Sequence, residues 1–302
     1  MRTLEFVIPC EYDGSKVLYF LKGKAGLSSR MIRSLKLVEN GIMLNGEHTR
    51  TVDPIKEGDH LTINIPDDEV EEGLENYDGH DFGDLQILYE DDDLIVVNKP
   101  AMLAVHPSHN HQGDTLANLI AAYLLAKGRP ATFRAVGRLD KGTSGIVVCA
   151  LNAFAANKLQ GHIEKTYFAI PSGIFLEDGV IEAPIFRPDP IKTFRTVDER
   201  GDFALTKYEI LKTGTLPDGT KASLAKVRIE TGRTHQIRVH FCHVGTPLLG
   251  DTMYGKARED ICHQALHCGH AEFLQPFTNC KISIDAPIPQ DMQEIIDSIH
   301  KI

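Results

Sequence analysis

The stretch "PDDEVEEGLENYDGHDFGD", residues 66–84, sets the tightest limit on how this chain folds, because it holds nine acidic residues and no Lys or Arg. A like-charged, glycine-containing run buries too little apolar surface to offset the entropy of ordering it, and reads as an extended linker. The 302 residues then divide into a small domain over 1–66, an acidic linker over 67–84 and a large domain over 85–302. The net charge of −10 sits almost entirely in that linker, so it does not exclude a polyanionic partner for either flanking domain. The start, "MRTLEFVIPCEYDGSK", lacks the basic-then-apolar order of a secretion signal. The longest apolar stretch, "LANLIAAYLLAKG", is too short and interrupted to span a bilayer. A cytoplasmic protein with no membrane partner is expected. Six scattered cysteines fit reduced thiols better than a disulfide framework.

In the small domain, "SKVLYFLKGK" and "SSRMIRSLKLVENG" each read as a short helix, the second capped by Ser28 or Ser29 with Gly41 beyond its end. "IMLNGEHTR" reads as a hairpin turning at Asn45 and Gly46, and "DHLTINIP" as an alternating strand. Arg30, Arg33 and Lys36 recur at about helical spacing and share a face that could follow a phosphate backbone, although three charges alone favour a solvated surface. The run from "LSSRMIRSLK" to "EGDHLTI" resembles the alpha-L RNA-binding motif of ribosomal protein S-four. That resemblance implies a module docking structured RNA through Arg30, Arg33, Lys36 and Asn45, with no chemistry of its own.

The large domain opens with a hairpin signal, "LQILYE" and "DLIVVNKP" about Asp91 and Asp92. "DTLANLIAAYLLAKG" reads as a helix capped by Asp114 or Thr115, with Leu116, Ile120 and Leu124 on one face and Gly128 as its stop. "NAFAANKLQGHI" reads as another, capped by Asn152. Strands follow in "EKTYFAIPSG", "FALTKYEILK", "ASLAKVRIE", "HQALHCG" and "CKISIDAP", then a closing helix in "PQDMQEIIDSIHK". Neighbouring strands with interspersed helices and no steady βαβ repeat predict an α+β domain. No glycine-rich nucleotide-binding loop is present, so a nucleotide cofactor is not indicated.

Three constellations could carry chemistry. In "VGRLDKGTSGIVVCA" a glycine-rich turn could expose Asp140 as nucleophile or base, provided a cation keeps it ionised; an isolated Asp there more commonly caps the turn. In "EKTYFAIPSG" alternation sets Lys165 and Tyr167 on one face and Thr166, Phe168 and Ile170 on the other, leaving Tyr167 either facing a cleft or half-buried in the sheet. In "ETGRTHQIRVHFCHVG" Thr234 can cap a helix whose Ile237, Phe241 and Val244 share a face and which ends at Gly245; Arg238 then lies in its first turn, against the bland reading of a surface salt bridge. The His/Cys-rich tract around "HFCHVG" and "DICHQALHCGH" invites a zinc reading, but strand alternation would point His263 and His267 away from Cys268 and His270, so no metal site is expected.

Together "GRLDKGTSG", "KTY", "TGRTHQIRVH", "TPLLGD" and "QALHC", in that order over about residues 85–302, resemble the RluA family of pseudouridine synthases. The resemblance implies an α+β catalytic domain with a mixed, mainly antiparallel central sheet flanked by helices. It further implies that Asp140 is the essential nucleophile-type carboxylate and that Arg238 pairs with it. Tyr167 stacks on uracil and accepts a proton, and Arg138 helps displace the target base. Thr143, Lys165, Arg233, Thr234 and His235 stand within the same motifs as substrate-binding candidates. Two departures are visible: Gly137 stands where many members have His, and Gly142 where an acidic residue is common. The implied reaction isomerises uridine in structured RNA without cofactor or metal. Large-subunit ribosomal RNA is the favoured substrate, with transfer RNA or a non-catalytic RNA-binding role as alternatives, and a monomer is expected.

Overall fold

The computed structural model describes residues 2–66, 85–108, 112–129 and 131–300. The acidic linker expected over 67–84 lies outside the described residues.

The first sheet has the order β1-β4-β2-β3, formed by β1 (Arg2–Val7), β2 (Ile42–Leu44), β3 (Glu47–His48) and β4 (His60–Ile65). The β2–β3 turn uses Asn45 and Gly46 at φ 53° and 86°, the paired left-handed conformation that a two-residue hairpin demands and that Asn-Gly supplies at least cost. Two helices cover the sheet: α1 (Val17–Gly23) and α2 (Ser29–Leu35), the latter capped by Ser28, whose hydroxyl accepts from the Met31 amide. Their Phe20, Leu21, Ile32 and Leu35 pack with Leu61 and Ile63 into one apolar core.

The second sheet has ten strands in the order β10-β13-β14-β9-β15-β8-β6-β5, with β16 added to β15 and β7 to β8. These are β5 (Ile87–Glu90), β6 (Leu94–Lys99), β7 (Arg134–Val136), β8 (Ser144–Ala150), β9 (Glu164–Ala169), β10 (Gly179–Glu182), β13 (Leu205–Thr215), β14 (Lys221–Ile229), β15 (Leu266–Leu274) and β16 (Lys281–Asp285). A separate small hairpin pairs β11 (Ile185–Phe186) with β12 (Thr196–Val197). The contact between β8 and β15 is parallel and the remaining pairings are antiparallel, which makes the sheet mixed and the domain α+β. β8 is buried along its whole length, as its uninterrupted "SGIVVCA" requires of a central strand. Four helices flank the sheet: α3 (Leu116–Ala126), capped by Thr115 in a box with Asn118; α4 (Ala153–Leu159), capped by Asn152; α5 (Gln236–His243); and α6 (Gln290–Ser298).

The two cores meet through side chains. Phe154 of α4 belongs to the small-domain core and packs on Phe277. Arg2 lies over the Phe277 ring and grips Asp93, a carboxylate only 1 % exposed that also accepts from Asn152 and Gln275. Removing Arg2 would leave that buried charge short of its only cationic partner among the described residues, a costly outcome.

Candidate active site

Asp140 stands on the turn between β7 and β8, where its carbonyl accepts from the Thr143 amide at 3.0 Å. Its carboxylate is 26 % exposed, while the guanidinium that holds it, from Arg238, is 7 % exposed. Nη1 of Arg238 donates to Asp140 Oδ2 at 3.1 Å. Burial works against the Arg238 charge, and the carboxylates of Asp251 and Asp140 outweigh it, so its pKa is raised and the group stays a cation. A partly open carboxylate seated on a buried, permanently charged base is the arrangement a carboxylate nucleophile needs.

The turn is braced from behind. Lys99, at the end of β6, is fully buried, and its Nζ donates to the carbonyls of Pro100, Leu103 and Lys141 at 2.8, 2.9 and 3.1 Å. Burial lowers its pKa to about 7, against the opposing pull of Asp140. Lys165 Nζ donates to the Gly137 carbonyl at 2.9 Å, and Gln264 Nε2 donates to Thr143 Oγ1 at 2.9 Å. The backbone accounts for the first of the two departures, whereas at the second a side chain would meet only the movable end of Gln264. Gly137 adopts φ +71°, which favours glycine, and a Cβ on Gly142 would lie 2.3 Å from the Gln264 amide oxygen.

Tyr167 lies on β9 and is 6 % exposed, so little of its ring is open to solvent. Burial raises its pKa well above the ordinary phenol value, and the nearby Cys268 and Asp140 add to this. The hydroxyl is therefore a neutral phenol in the resting site. The expected proton acceptor starts with its proton on.

The substrate-binding candidates stand in different surroundings, and the cap of α5 differs from expectation. Thr234 is exposed and does not cap α5; the chain enters that helix through His235 in the left-handed conformation at φ 59°. Gln236, the first residue of the helix, fastens that entry instead: its Oε1 accepts from the Arg233 amide and the Thr231 hydroxyl while its Nε2 donates to the Leu205 carbonyl and the Thr206 hydroxyl. Ile237 and Phe241 are buried as expected, but Val244 is 45 % exposed because the helix ends before it. The Thr143 hydroxyl accepts from Gln264 and the Lys165 ammonium donates to the Gly137 carbonyl, as given above. Arg233 turns outward to the Phe203 carbonyl and Asp202. Arg138 is exposed beside Asp140. His235 does join the site, with Nε2 3.9 Å from Asp140 Oδ2 and Nδ1 2.9 Å from the Tyr254 hydroxyl. Burial lowers its pKa, so the ring is neutral.

On the small domain, Arg30, Arg33 and Lys36 are all exposed at α2 and its C-terminus. Asn45 is exposed, and its side chain also ties the hairpin to β4, with Nδ2 donating to Asp59 and Oδ1 accepting from the His60 amide. Among the described residues no group of three or more His, Cys, Asp or Glu side chains could hold a metal ion. His263 instead meets Asp291 and His270 meets Asp285. No helix of the described residues is long and apolar enough to cross a membrane.

Four site residues escaped the sequence reading: Lys99, Asp251, Tyr254 and Gln264. Asp251 is the most consequential, because its two oxygens accept from Nε and Nη2 of Arg238 at 2.7 and 2.9 Å. Its only signal was its place at the end of "TPLLGD".

A ten-stranded mixed sheet with a braced Asp-Arg pair beside a buried tyrosine defines a class that the comparisons identify. Residues 93–243 match the family described as RNA pseudouridylate synthase, and the chain belongs to that family, in its RluA branch. It is an RNA pseudouridine synthase. An uncharacterized RNA pseudouridine synthase of Bacillus subtilis, YjbO, is 38 % identical over 281 residues, covering 91 % of this chain and 96 % of the relative. The ribosomal large subunit pseudouridine synthase D of Buchnera aphidicola is 33 % identical over 287 residues, covering 88 % of each. Among solved structures, human RNA pseudouridylate synthase domain containing 1 superposes with a TM-score of 0.56 at 27 % identity, covering 68 % of this chain and 83 % of that one.

Proposed function

We propose that this enzyme converts a uridine of large-subunit ribosomal RNA to pseudouridine, with Asp140 as the reacting carboxylate. The observation that carries the chemistry is the half-open Asp140 carboxylate on the buried Arg238 cation, 3.1 Å away. The substrate class is supported by relatives such as those of Buchnera aphidicola and Zymomonas mobilis, which bear the name ribosomal large subunit pseudouridine synthase D.

The bond between uracil N1 and the sugar breaks, the uracil turns without leaving, and carbon five joins the sugar carbon. Carbon five then loses its proton and N1 gains one. Atoms and electrons balance within the substrate, so the reaction needs no oxidant, reductant or co-substrate. The target uridine must first leave its stack, at a cost of a few kcal/mol. In this reading Arg138, which is exposed two residues before Asp140, enters the space the base vacates. Tyr167 receives the carbon-five proton while passing its own to Asp140, once that carboxylate has left the sugar, and Asp140 then gives its proton to water as N1 takes one from water; this order starts from the neutral phenol of the resting site. The exposed cations Arg30, Arg33 and Lys36 bind phosphates of the same RNA at a distance from the chemistry.

The test maps pseudouridine across total RNA from cells with and without the protein. Loss of a site in large-subunit ribosomal RNA supports the assignment. Loss confined to transfer RNA replaces the substrate class while keeping the chemistry, and no lost site overturns the reading.

A further inference from the structure

We propose that Asp251 is a positioning residue for the reaction: by occupying the two-pronged face of Arg238, it restricts that arginine to a single hydrogen bond with Asp140 and so leaves the other Asp140 oxygen free to meet the sugar. This inference rests on Asp140 being the reacting carboxylate.

A guanidinium presents a fork that matches a carboxylate with two parallel bonds, and an unopposed arginine beside an aspartate takes that geometry. Here the fork is already taken. Nε and Nη2 of Arg238 both point to Asp251, and Nη1 is the arm that reaches Asp140, where it meets Oδ2. An Asp140 gripped at both oxygens would have its charge shared out and its approach to the sugar blocked.

The position of Asp251 is itself tightly fixed. The residue is 1 % exposed, and its Oδ1 also accepts from the amides of Met253 and Tyr254 at 3.0 and 3.2 Å. The preceding Gly250 has φ +71°, and a Cβ there would stand 2.2 Å from the His263 carbonyl oxygen, so the backbone runs where only glycine fits. The same turn delivers Tyr254, whose ring lies 5.1 Å from the Arg238 guanidinium carbon and closes its remaining side. Arg238 is thus held in one orientation by a carboxylate, two backbone amides acting through it, and an aromatic face.

The experiment uses the full chain and total RNA from cells lacking the protein, labelled with tritium at uracil carbon five. Single-turnover tritium release is followed with enzyme in excess, for the parent, Asp251→Asn, Arg238→Lys, the double variant and Asp140→Asn. A displaced Asp140 predicts a loss of about a hundredfold in maximal rate for Asp251→Asn, with the half-saturating enzyme concentration within about twofold of the parent. Because Asp251 acts through Arg238, and lysine cannot offer a fork, the two losses should not multiply: adding Asp251→Asn to Arg238→Lys should cost about tenfold less than it costs the parent. A merely structural role would multiply the losses or weaken RNA binding, and either result overturns the proposal, as does a parental rate in Asp251→Asn. If Asp251→Asn does not fold, Asp251→Glu, which moves the fork by one methylene, must show the same loss of rate at unchanged half-saturation, and a parental rate there overturns the proposal. Asp140→Asn separates the two claims. If it releases tritium, the underlying reading fails; if it is inert while Asp251→Asn is normal, only the positioning role fails.

Discussion

His267 ties β15 to the first residue of β8, directly behind the Asp140 turn, and it should make the protein acid-sensitive in a defined window. The ring is 1 % exposed, with Nδ1 2.9 Å from the Ser144 hydroxyl and Nε2 3.3 Å from the Ala286 carbonyl. A carbonyl can only accept, so Nε2 carries the hydrogen and Nδ1 accepts from Ser144. Burial pushes the imidazole down to about 4, whereas an unfolded histidine titrates near 6.5. Between those values the unfolded chain binds a proton that the native one does not, so stability is lost as the pH falls from about 6.5 towards 4. From pH 7 to pH 5 one such group accounts for about 2 kcal/mol. His235 and His240 are also held down by burial, but they are common to parent and variant and cancel in the comparison. His267→Gln keeps a polar partner for Ser144 and removes the titration. It should cost about 1 kcal/mol at pH 7, while losing about 2 kcal/mol less than the parent on going to pH 5. Urea unfolding followed by circular dichroism at pH 7, 6 and 5 measures both quantities. Parallel stability profiles for the two proteins would refute the reasoning.

Replacing Arg30, Arg33 and Lys36 together with Gln should weaken RNA binding and flatten its salt dependence by roughly 0.7 to 0.9 per lost phosphate contact; an unchanged slope in filter binding would remove α2 from the interface. Tyr167→Phe should bind RNA like the parent and release tritium about a hundredfold more slowly or worse, the usual scale for a proton-transfer group. Near-normal release would limit the ring to packing and assign the proton to another base. Lys99→Met removes the donor that holds the Lys141 carbonyl, and about a tenfold to hundredfold loss in single-turnover rate at unchanged RNA affinity is expected. A parental rate would show that the turn holds its shape without that anchor.

How far the sequence foretold this site depended on whether a signal was local. Ser28, Thr115 and Asn152 cap their helices as their positions suggested, and Asn45-Gly46 makes its hairpin turn, because each of these devices is complete within a few residues. The short strands β7, β10, β11 and β12 went unread: two to four residues carry no measurable alternation, and β11 and β12 exist through pairing with each other across a proline-containing loop. The pairing of Arg238 with Asp140 was implied by family likeness and is seen in the structure, across 98 positions of sequence. Local patterns misplaced the helix cap, since Thr234 has the right chemistry, yet the left-handed His235 and the long-range bonds of Gln236 set the entry to α5. Asp251 and Lys99 were missed for one reason. A charged residue ending an apolar run looks solvent-exposed in sequence, and only the fold shows that its partners surround it. The same limit hid the long-range bonds by which Lys165 and Thr143 brace the turn.

The central claim is that the Asp140 carboxylate performs the chemistry, and Asp140→Asn tests it most directly. The amide is nearly isosteric and can still accept from Arg238, while its carbonyl leaves the Thr143 amide bond of the turn intact. Single-turnover tritium release from RNA labelled at uracil carbon five, measured beside RNA affinity and thermal stability, should show a folded protein that binds RNA like the parent and forms no pseudouridine. Substantial release by this variant, once deamidation back to aspartate has been ruled out by mass spectrometry, would contradict the account.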